Sequence, residues 1–471
     1  MKTLLLAAAL AFPALAVAQG APTSTSAPDR TATLRDEALN NDTLAWDILE
    51  GLTTEIGPRQ AGTPAEASAR EWAVRRLTRL GFSNVHVEPF DMPVWMRGVE
   101  RAEIISPFPQ PLVLTALGNS GATSETGLEA EVVGFQSVAE LQAAPDAAVR
   151  GKIVFINHAM APTQDGSGYG QFGAPRRQGP TVASRKGAAA IVVRSIGTDH
   201  HRNGHTGVQS FGEGATPIPA AALTVPDAEQ LQRILNRAGS RPVRMRITLT
   251  PRNIGTHPSG NVVAEVPGTD PSAGVIIIGG HLDSWDLGTG AIDDATGVAI
   301  TTAAAHRIMR AGRPRRTIRV VLFGAEEVGG GGGPTHFRLN NPTGNAVMVG
   351  ESDFGADRVW RVEFSFAPAN AALADRIAAV LAPLGIVRGN DPATAGADLG
   401  QWVRAGTAGI DLNQDGTRYF DYHHTPDDTL DKVDPVQLRQ NVAAWTAVLS
   451  VLANAPERIE GITPAPPRQR P

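Results

Sequence analysis

Cysteine is absent from this chain of 471 residues. No disulfide can staple the fold, no thiolate can bind zinc and no cysteine can serve as a nucleophile. Burial and bound metal must therefore supply stability, and any metal site has to be built from His, Asp and Glu. Aromatic residues are scarce, at 5%. Neither charge sign dominates, with 42 Lys and Arg against 47 Asp and Glu and a formal net charge of −5. Such a balance creates no field for nucleic acid or an anionic membrane, and neither is expected as a partner. Past the N-terminus no apolar run is long enough to span a bilayer. What the chain does have is length enough for two or more domains and 50 glycines, which suggest many short elements joined by tight turns.

The first residues read as an export signal: Lys2 as the basic region, an apolar stretch over 4–15, and Ala16-Val17-Ala18 as a cleavage site before Gln19. A retained membrane anchor is the alternative, although the stretch is short for the roughly 20 residues a span needs and Pro13 interrupts it. The expected signal peptide is 1–18, with a periplasmic or extracellular product. Residues 19–40, rich in Ser, Thr, Ala and Pro, read as a flexible leader. Thr63-Pro64-Ala65-Glu66 is a helix start with Thr at the cap, Pro at the first position and Glu at the third; the helix should run to about Leu80 and stop at Gly81. An alternating strand over 84–88 follows.

From 103 to 252 short β-like runs (130–135, 151–156, 188–194, 244–250) are separated by long Gly- and Pro-containing loops, which reads as a β-rich inserted domain. Residues 157–180 read as a long loop. The expected catalytic domain is α/β and discontinuous, 41–102 and 253–455. Its runs at 275–278, 317–323 and 346–349 are apolar without alternation, as strands buried on both faces should be. Helical patterns cover 296–309 and 371–381, and a last helix, opened by Asp434 and Pro435, should end near Ala453. The proline-rich tail, 456–471, reads as disordered.

The buried strands run straight into acidic or imidazole side chains. His281 and Asp283 follow the first, Glu326 and Glu327 the second, Glu351 and Asp353 the third. Ligands of an open α/β sheet sit beyond the carboxyl ends of its strands, so neighbouring strands would bring five carboxylates and one imidazole into one crevice. Carboxylates that close repel one another and resist desolvation, and divalent cations are the natural counter-charge. Singly, each element has a plainer reading. His281 and Asp283 could form a surface turn, or a metal ligand with an orienting carboxylate behind it. Glu326 and Glu327 could be solvated helix-surface residues, Asp293 and Asp294 a helix cap, Asp353 a loop residue, and His423 and His424 a surface pair. Their joint occurrence in this order is the specific signal.

The motifs G-G-H-L-D-S-W, G-A-I-D-D-A-T-G, A-E-E-V-G, E-S-D and Y-H-H-T-P-D-D resemble those of the co-catalytic zinc aminopeptidase and glutamate carboxypeptidase family. The resemblance extends from about Ile56 to Leu452 and implies a mixed, mostly parallel central sheet flanked by helices, with 103–252 as an inserted protease-associated domain. It further implies two zinc ions, with cobalt or manganese as substitutes: His281 and Asp353 on one, Glu327 and His424 on the other, Asp293 bridging. Glu326 would be the general base, with Asp283 behind His281. Tyr419, His423, Asp398 and His205 are implied near the substrate, although Asp398 could equally cap the next helix and His205 could make a structural hydrogen bond. The chain departs from the family's pattern at one pocket wall, in the five glycines 329–333.

These residues imply an exopeptidase for dipeptides or short peptides, with carboxypeptidase, aminopeptidase and dipeptidase left open. Relatives suggest a homodimer, although the sequence shows no seam. Two rivals are a metal-free, receptor-like binding protein on the same fold and a single-zinc acyltransferase resembling glutaminyl cyclase; metal analysis separates the first, and metal stoichiometry with a test for cyclisation against hydrolysis separates the second.

Overall fold

The computed structural model describes residues 30–462; the expected signal peptide, residues 19–29 of the leader and 463–471 of the tail lie outside the described residues. β1 (Ser83–Met96) is followed by β2 (Glu100–Ser106), β3 (Gln110–Leu112), β4 (Leu114–Ala116), β5 (Leu128–Phe135), β6 (Ile153–Ile156), β7 (Ala190–Arg194), β8 (Ala220–Leu223) and β9 (Arg244–Leu249). Then come β10 (Arg252–Val266), β11 (Val275–His281), β12 (Thr317–Phe323), β13 (Ala346–Glu351), β14 (Val359–Phe364), β15 (Val387–Arg388) and β16 (Ala408–Gln414). They form two sheets of eight strands, ordered β1-β10-β12-β11-β13-β16-β14-β15 and β3-β2-β9-β5-β6-β7-β8-β4. The fold is mixed α/β with mixed sheets.

In the first sheet β12, β11, β13 and β16 are parallel, so their carboxyl ends share one edge. Alternation along each strand sends residues to opposite faces. Ile276, Ile278, Ile318, Val320 and Met348 join a core under the helices Thr296–Ala311 and Pro435–Asn454. Val275, Ile277, Val321, Phe323 and Val349 pack on the other face against Leu399 and Trp402 of the helix Gly396–Arg404. Burial on both faces is why these strands read as unbroken apolar runs. The helix caps are local chemistry. Thr63 Oγ1 accepts from Glu66 N at 3.4 Å, Asp434 Oδ1 accepts from Val436 N at 2.7 Å, and Gly81 ends the first of these helices with φ 89°.

The chain leaves the first sheet after β1, builds the second sheet and returns through β10, which pairs antiparallel with β1. The second sheet begins at Glu100 and ends at Leu249, a few residues from the expected limits of 103 and 252. It is not purely β: β5, β6, β7 and β8 are parallel, and the helix Val225–Ala238 packs on them through Ala228, Leu231 and Ile234. No described helix is long and apolar enough to cross a membrane.

Three expectations need correction. Residues 30–41, read as part of a flexible leader, form the helix Arg30–Asn41, seated by buried Ala38 and by Arg35, which donates to Val380 O at 2.9 Å. Its polar sequence hides that contact. The stretch 157–180 is not one loop but contains the helices Ser167–Phe172 and Ala174–Arg177. Residues 456–462 of the tail are ordered, because Phe366 and Gly461 form a β-bridge and Ala367 N donates to Glu460 O at 2.8 Å.

Candidate active site

The parallel strands deliver their side chains to one edge. His281 closes β11, and its Nδ1 donates to Asp283 O at 3.0 Å, which turns Nε2 towards Asp293 Oδ1 at 3.0 Å and Asp353 Oδ1 at 3.4 Å. The Asp283 carboxylate stands 3.5 Å from Nδ1, so the ring is oriented chiefly by the backbone carbonyl. The carboxylate instead accepts from Glu326 N at 3.0 Å and Glu327 N at 3.3 Å, and so holds the turn that presents both glutamates.

The two aspartates after β11 divide their work. Asp294 accepts from His281 N at 3.0 Å and from Gly297 N at 2.9 Å, which caps the helix Thr296–Ala311. Asp293 faces the cleft, with Oδ2 3.3 Å from His424 Nε2 and 3.5 Å from His423 Nε2. Gly297 makes the close approach affordable, because a Cβ there would lie 1.8 Å from Ser352 O. Behind this loop Arg59 is fully buried and donates to Leu282 O at 2.5 Å, Thr289 O at 2.6 Å and Gly290 O at 2.9 Å. Its forked donors fix the segment between His281 and Asp293.

His424 lies beyond the short helix Tyr419–Tyr422, with its Nε2 2.9 Å from Glu327 Oε2. Its Nδ1 donates to Thr206 O at 3.2 Å, across from the second sheet's unit. Two triads therefore have atoms close enough to share an ion: His281, Asp293 and Asp353, and Asp293, His423 and His424. Asp293, Glu326, Glu327, Asp353, Tyr419, His423 and His424 line one open cleft. Tyr419 packs against Phe354 with ring centres 4.4 Å apart and the rings tilted by 32°.

Asp398, His205 and Asp283 do not line that cleft. Asp398 does not cap its helix; the Glu351 carboxylate does, accepting from Asp398 N at 2.9 Å and Leu399 N at 3.2 Å, while Asp398 Oδ1 accepts from Gly333 N at 2.7 Å. His205 makes the structural hydrogen bonds, to His423 O at 2.8 Å and with Asp199 Oδ1 at 2.7 Å. His336 is fully buried and donates to Glu88 Oε2 at 2.8 Å, away from the cleft.

The sequence reading missed Tyr169, Arg176, Val208, Phe354, Ala397 and Phe420 among the lining residues, and Arg176 is the one that carries charge. Arg176, from the segment read as loop, is 5% exposed. Its Nη1 donates to Thr206 O at 3.2 Å and its Nη2 to Tyr169 Oη, while Nε has no partner. Among the described residues no carboxylate pairs with it, and it is the only Arg or Lys lining the cleft. Gly207 makes room for it, since a Cβ there would stand 2.0 Å from Nη1. Nothing local in Ala174-Pro175-Arg176-Arg177 marks which arginine turns inward.

The electrostatics call for a cation. Burial, then the neighbouring charge of Glu327, pushes Glu326 well above the usual carboxyl range. Burial and then Asp293 raise Glu327 to about 7, and burial raises Asp398 to about 8. His281 is driven well above its ordinary value: burial opposes this, but Asp353 and the hydrogen bonds of its acidic neighbours prevail. His281 and His424 each spend Nδ1–H on a carbonyl, so a neutral ring would aim a lone pair at carboxylates that can only accept. Asp293 Oδ2 and Glu327 Oε1 are buried with no hydrogen-bond partner, where buried polar atoms ordinarily have one. Imidazole and carboxylate donors without sulfur suit a divalent ion such as zinc, and the residues fit it.

An α/β sheet whose parallel strands end in such a cluster offers a divalent metal ion a site at the strand ends. Residues 261–449 match peptidase family M28. The sequence is 34% identical over 418 residues to carboxypeptidase Q of Bos taurus, covering 88% of this chain and 86% of that protein. The fold superposes with a TM-score of 0.89 on a peptidase M28 precursor from Shewanella amazonensis, at 43% identity over 92% of this chain and 98% of that one. A zinc aminopeptidase from Bacillus subtilis shares the fold, with a TM-score of 0.61 at 18% identity over 88% of this chain and 95% of that one. The chain belongs to peptidase family M28.

Proposed function

We propose that the protein is an exported exopeptidase that holds two zinc ions and removes the C-terminal residue of dipeptides and short peptides. The observation that carries the two-ion reading is Asp293, whose oxygens face His281 on one side and His424 on the other. His281 and Asp353 would hold one ion, Glu327 and His424 the second, with Asp293 shared; cobalt or manganese would fit the same donors. Bound there, the ions supply Lewis acidity towards the scissile carbonyl and a water that ionises near neutral pH. Glu326, held through its backbone by Asp283, takes a proton from the attacking water and returns it to the leaving nitrogen as the C–N bond breaks. Tyr419 and His423 form the wall beside it.

Arg176 decides the polarity of the substrate. A buried guanidinium without a carboxylate is costly unless a ligand completes it, and a free C-terminal carboxylate is the anion that a peptide offers. The bovine relative is a carboxypeptidase, in keeping with that reading. The unit inserted between β1 and β10 is then a protease-associated domain that contributes to substrate recognition, and residues 1–18 direct export, which N-terminal sequencing of the mature protein checks.

The test is a panel of free, N-acetylated and C-amidated dipeptides offered to the zinc-loaded protein. Free and N-acetylated peptides should be cleaved and C-amidated ones spared. Cleavage of amides as fast as free acids would refute the C-terminal polarity.

A further inference from the structure

His423 and His424 belong to a turn that has no regular structure to stiffen it: the helix before it ends at Tyr422, and His424 has φ 62°, a left-handed backbone that side chains other than glycine seldom adopt. The turn is held from the other sheet. Thr206 N donates to His424 O at 3.0 Å, and His424 Nδ1 donates to Thr206 O at 3.2 Å. One residue earlier, His205 Nδ1 donates to His423 O at 2.8 Å. Segment 205–206 thus grips segment 423–424 by three hydrogen bonds that cross from the inserted unit to the catalytic sheet.

His205 is itself fixed on every side. Its other ring nitrogen lies 2.7 Å from Asp199 Oδ1, and its backbone N donates to Ser195 Oγ at 3.0 Å. The imidazole sits against Gly197, where a Cβ would come within 2.2 Å of the ring. His205 and Asp199 are 2% and 5% exposed. A buried pair of this kind costs desolvation that an apolar pair would avoid. Neither side chain lines the cleft, so substrate contact does not explain the pair. Its one link to the cleft is the carbonyl preceding His424.

We propose that His205, braced by Asp199, is a positioning residue for His424: it fixes the 423–424 turn so that His424 Nε2 stays aimed at Glu327 and Asp293, and thereby makes the affinity of one metal position depend on the docked inserted unit. The inference rests on the two-ion reading above. Partners that orient a ligating histidine are worth about 10- to 100-fold in metal affinity. The effect must be confined to the position built on His424, because His281 takes its orientation from Asp283 O within its own strand-end loop.

The experiment titrates zinc into the metal-free, full-length protein by chelator competition, for the wild type and for His205→Ala and Asp199→Asn. The wild type should bind two ions. His205→Ala should weaken one by about 10- to 100-fold and leave the other unchanged. Asp199→Asn keeps an acceptor for the ring and should fall between the two; it also reads the effect should His205→Ala fail to fold. Wild-type affinities for both ions in the variants, even with a lowered melting temperature of the metal-free protein, would make the pair merely structural and overturn the inference. Equal weakening of both ions would overturn it as well. A wild type that binds fewer than two ions would instead remove the reading on which the inference stands.

Discussion

Replacing Arg176 by Gln tests which end of the peptide the cleft reads. The guanidinium is 5% exposed and already gives Nη1 to Thr206 O and Nη2 to Tyr169 Oη. Two of its five N–H groups are thereby engaged, and an incoming carboxylate competes for the terminal nitrogens that carry them. Breaking a buried charge pair at an interface costs about 2–5 kcal/mol. With two of the donors partly engaged, the lower half applies: about 2–3 kcal/mol, or roughly 30- to 150-fold in kcat/KM. Gln can still donate to Thr206 O, so the wall should keep its shape, and removing an unpaired buried cation should not lower the melting temperature. The assay compares kcat/KM for a dipeptide and its C-terminal amide in both proteins. The wild type should prefer the acid by the stated factor, and Arg176→Gln should erase that preference while leaving the amide rate unchanged. An equal loss on acid and amide would show that Arg176 supports the wall rather than the substrate carboxylate.

Other perturbations have equally definite outcomes. Glu326→Gln should keep its full metal content and lose about 10²- to 10⁴-fold in kcat; normal turnover in a metal-replete variant would remove Glu326 from the proton transfer. Gly297→Ala would push a methyl to 1.8 Å from Ser352 O and should cost at least about 1–3 kcal/mol, read as a fall in melting temperature. Burial works to raise the Glu88 pKa, but the hydrogen bond and charge of His336, then Asn340, outweigh it and hold the carboxyl at about 2 against an ordinary 4.5. The folded-state value is depressed, so its stabilisation is complete above pH ~4.5 and is lost as pH falls towards ~2, an effect of up to about 3 kcal/mol. Glu88→Gln should flatten that part of the acid-unfolding curve; an unchanged acid limb would contradict the coupling.

Where local chemistry decides structure, the sequence could be read closely. Residues 317–323 are β12 in full because both faces are buried and every position pays for burial with an apolar or small side chain, Arg319 excepted; it pairs with Glu265 at 2.7 Å. Thr63 and Asp434 cap their helices because the capping oxygen lies two or three residues from the N–H it serves. Long-range partners are what the sequence conceals. The helix Arg30–Asn41 looks polar, since its anchors are Val380 O and Ser450. β14, β15 and β16 mix polar with apolar residues near the edge of the sheet and escaped notice. Asp293 and Asp294 differ only in backbone direction, which composition cannot show. Arg176 acquires meaning only from the cleft it shares with Asp293, Glu326 and His424, distant in the chain, and the bracing of His424 by Thr206 and His205 has no signature along the chain.

The most direct measurement is the metal content of the purified full-length protein after chelation and reconstitution, repeated on His281→Ala. Two tightly held zinc ions per chain are expected, with one lost or markedly weakened in the variant. No tightly bound zinc in the wild type, or an undiminished pair in His281→Ala, would contradict a site built around a shared Asp293.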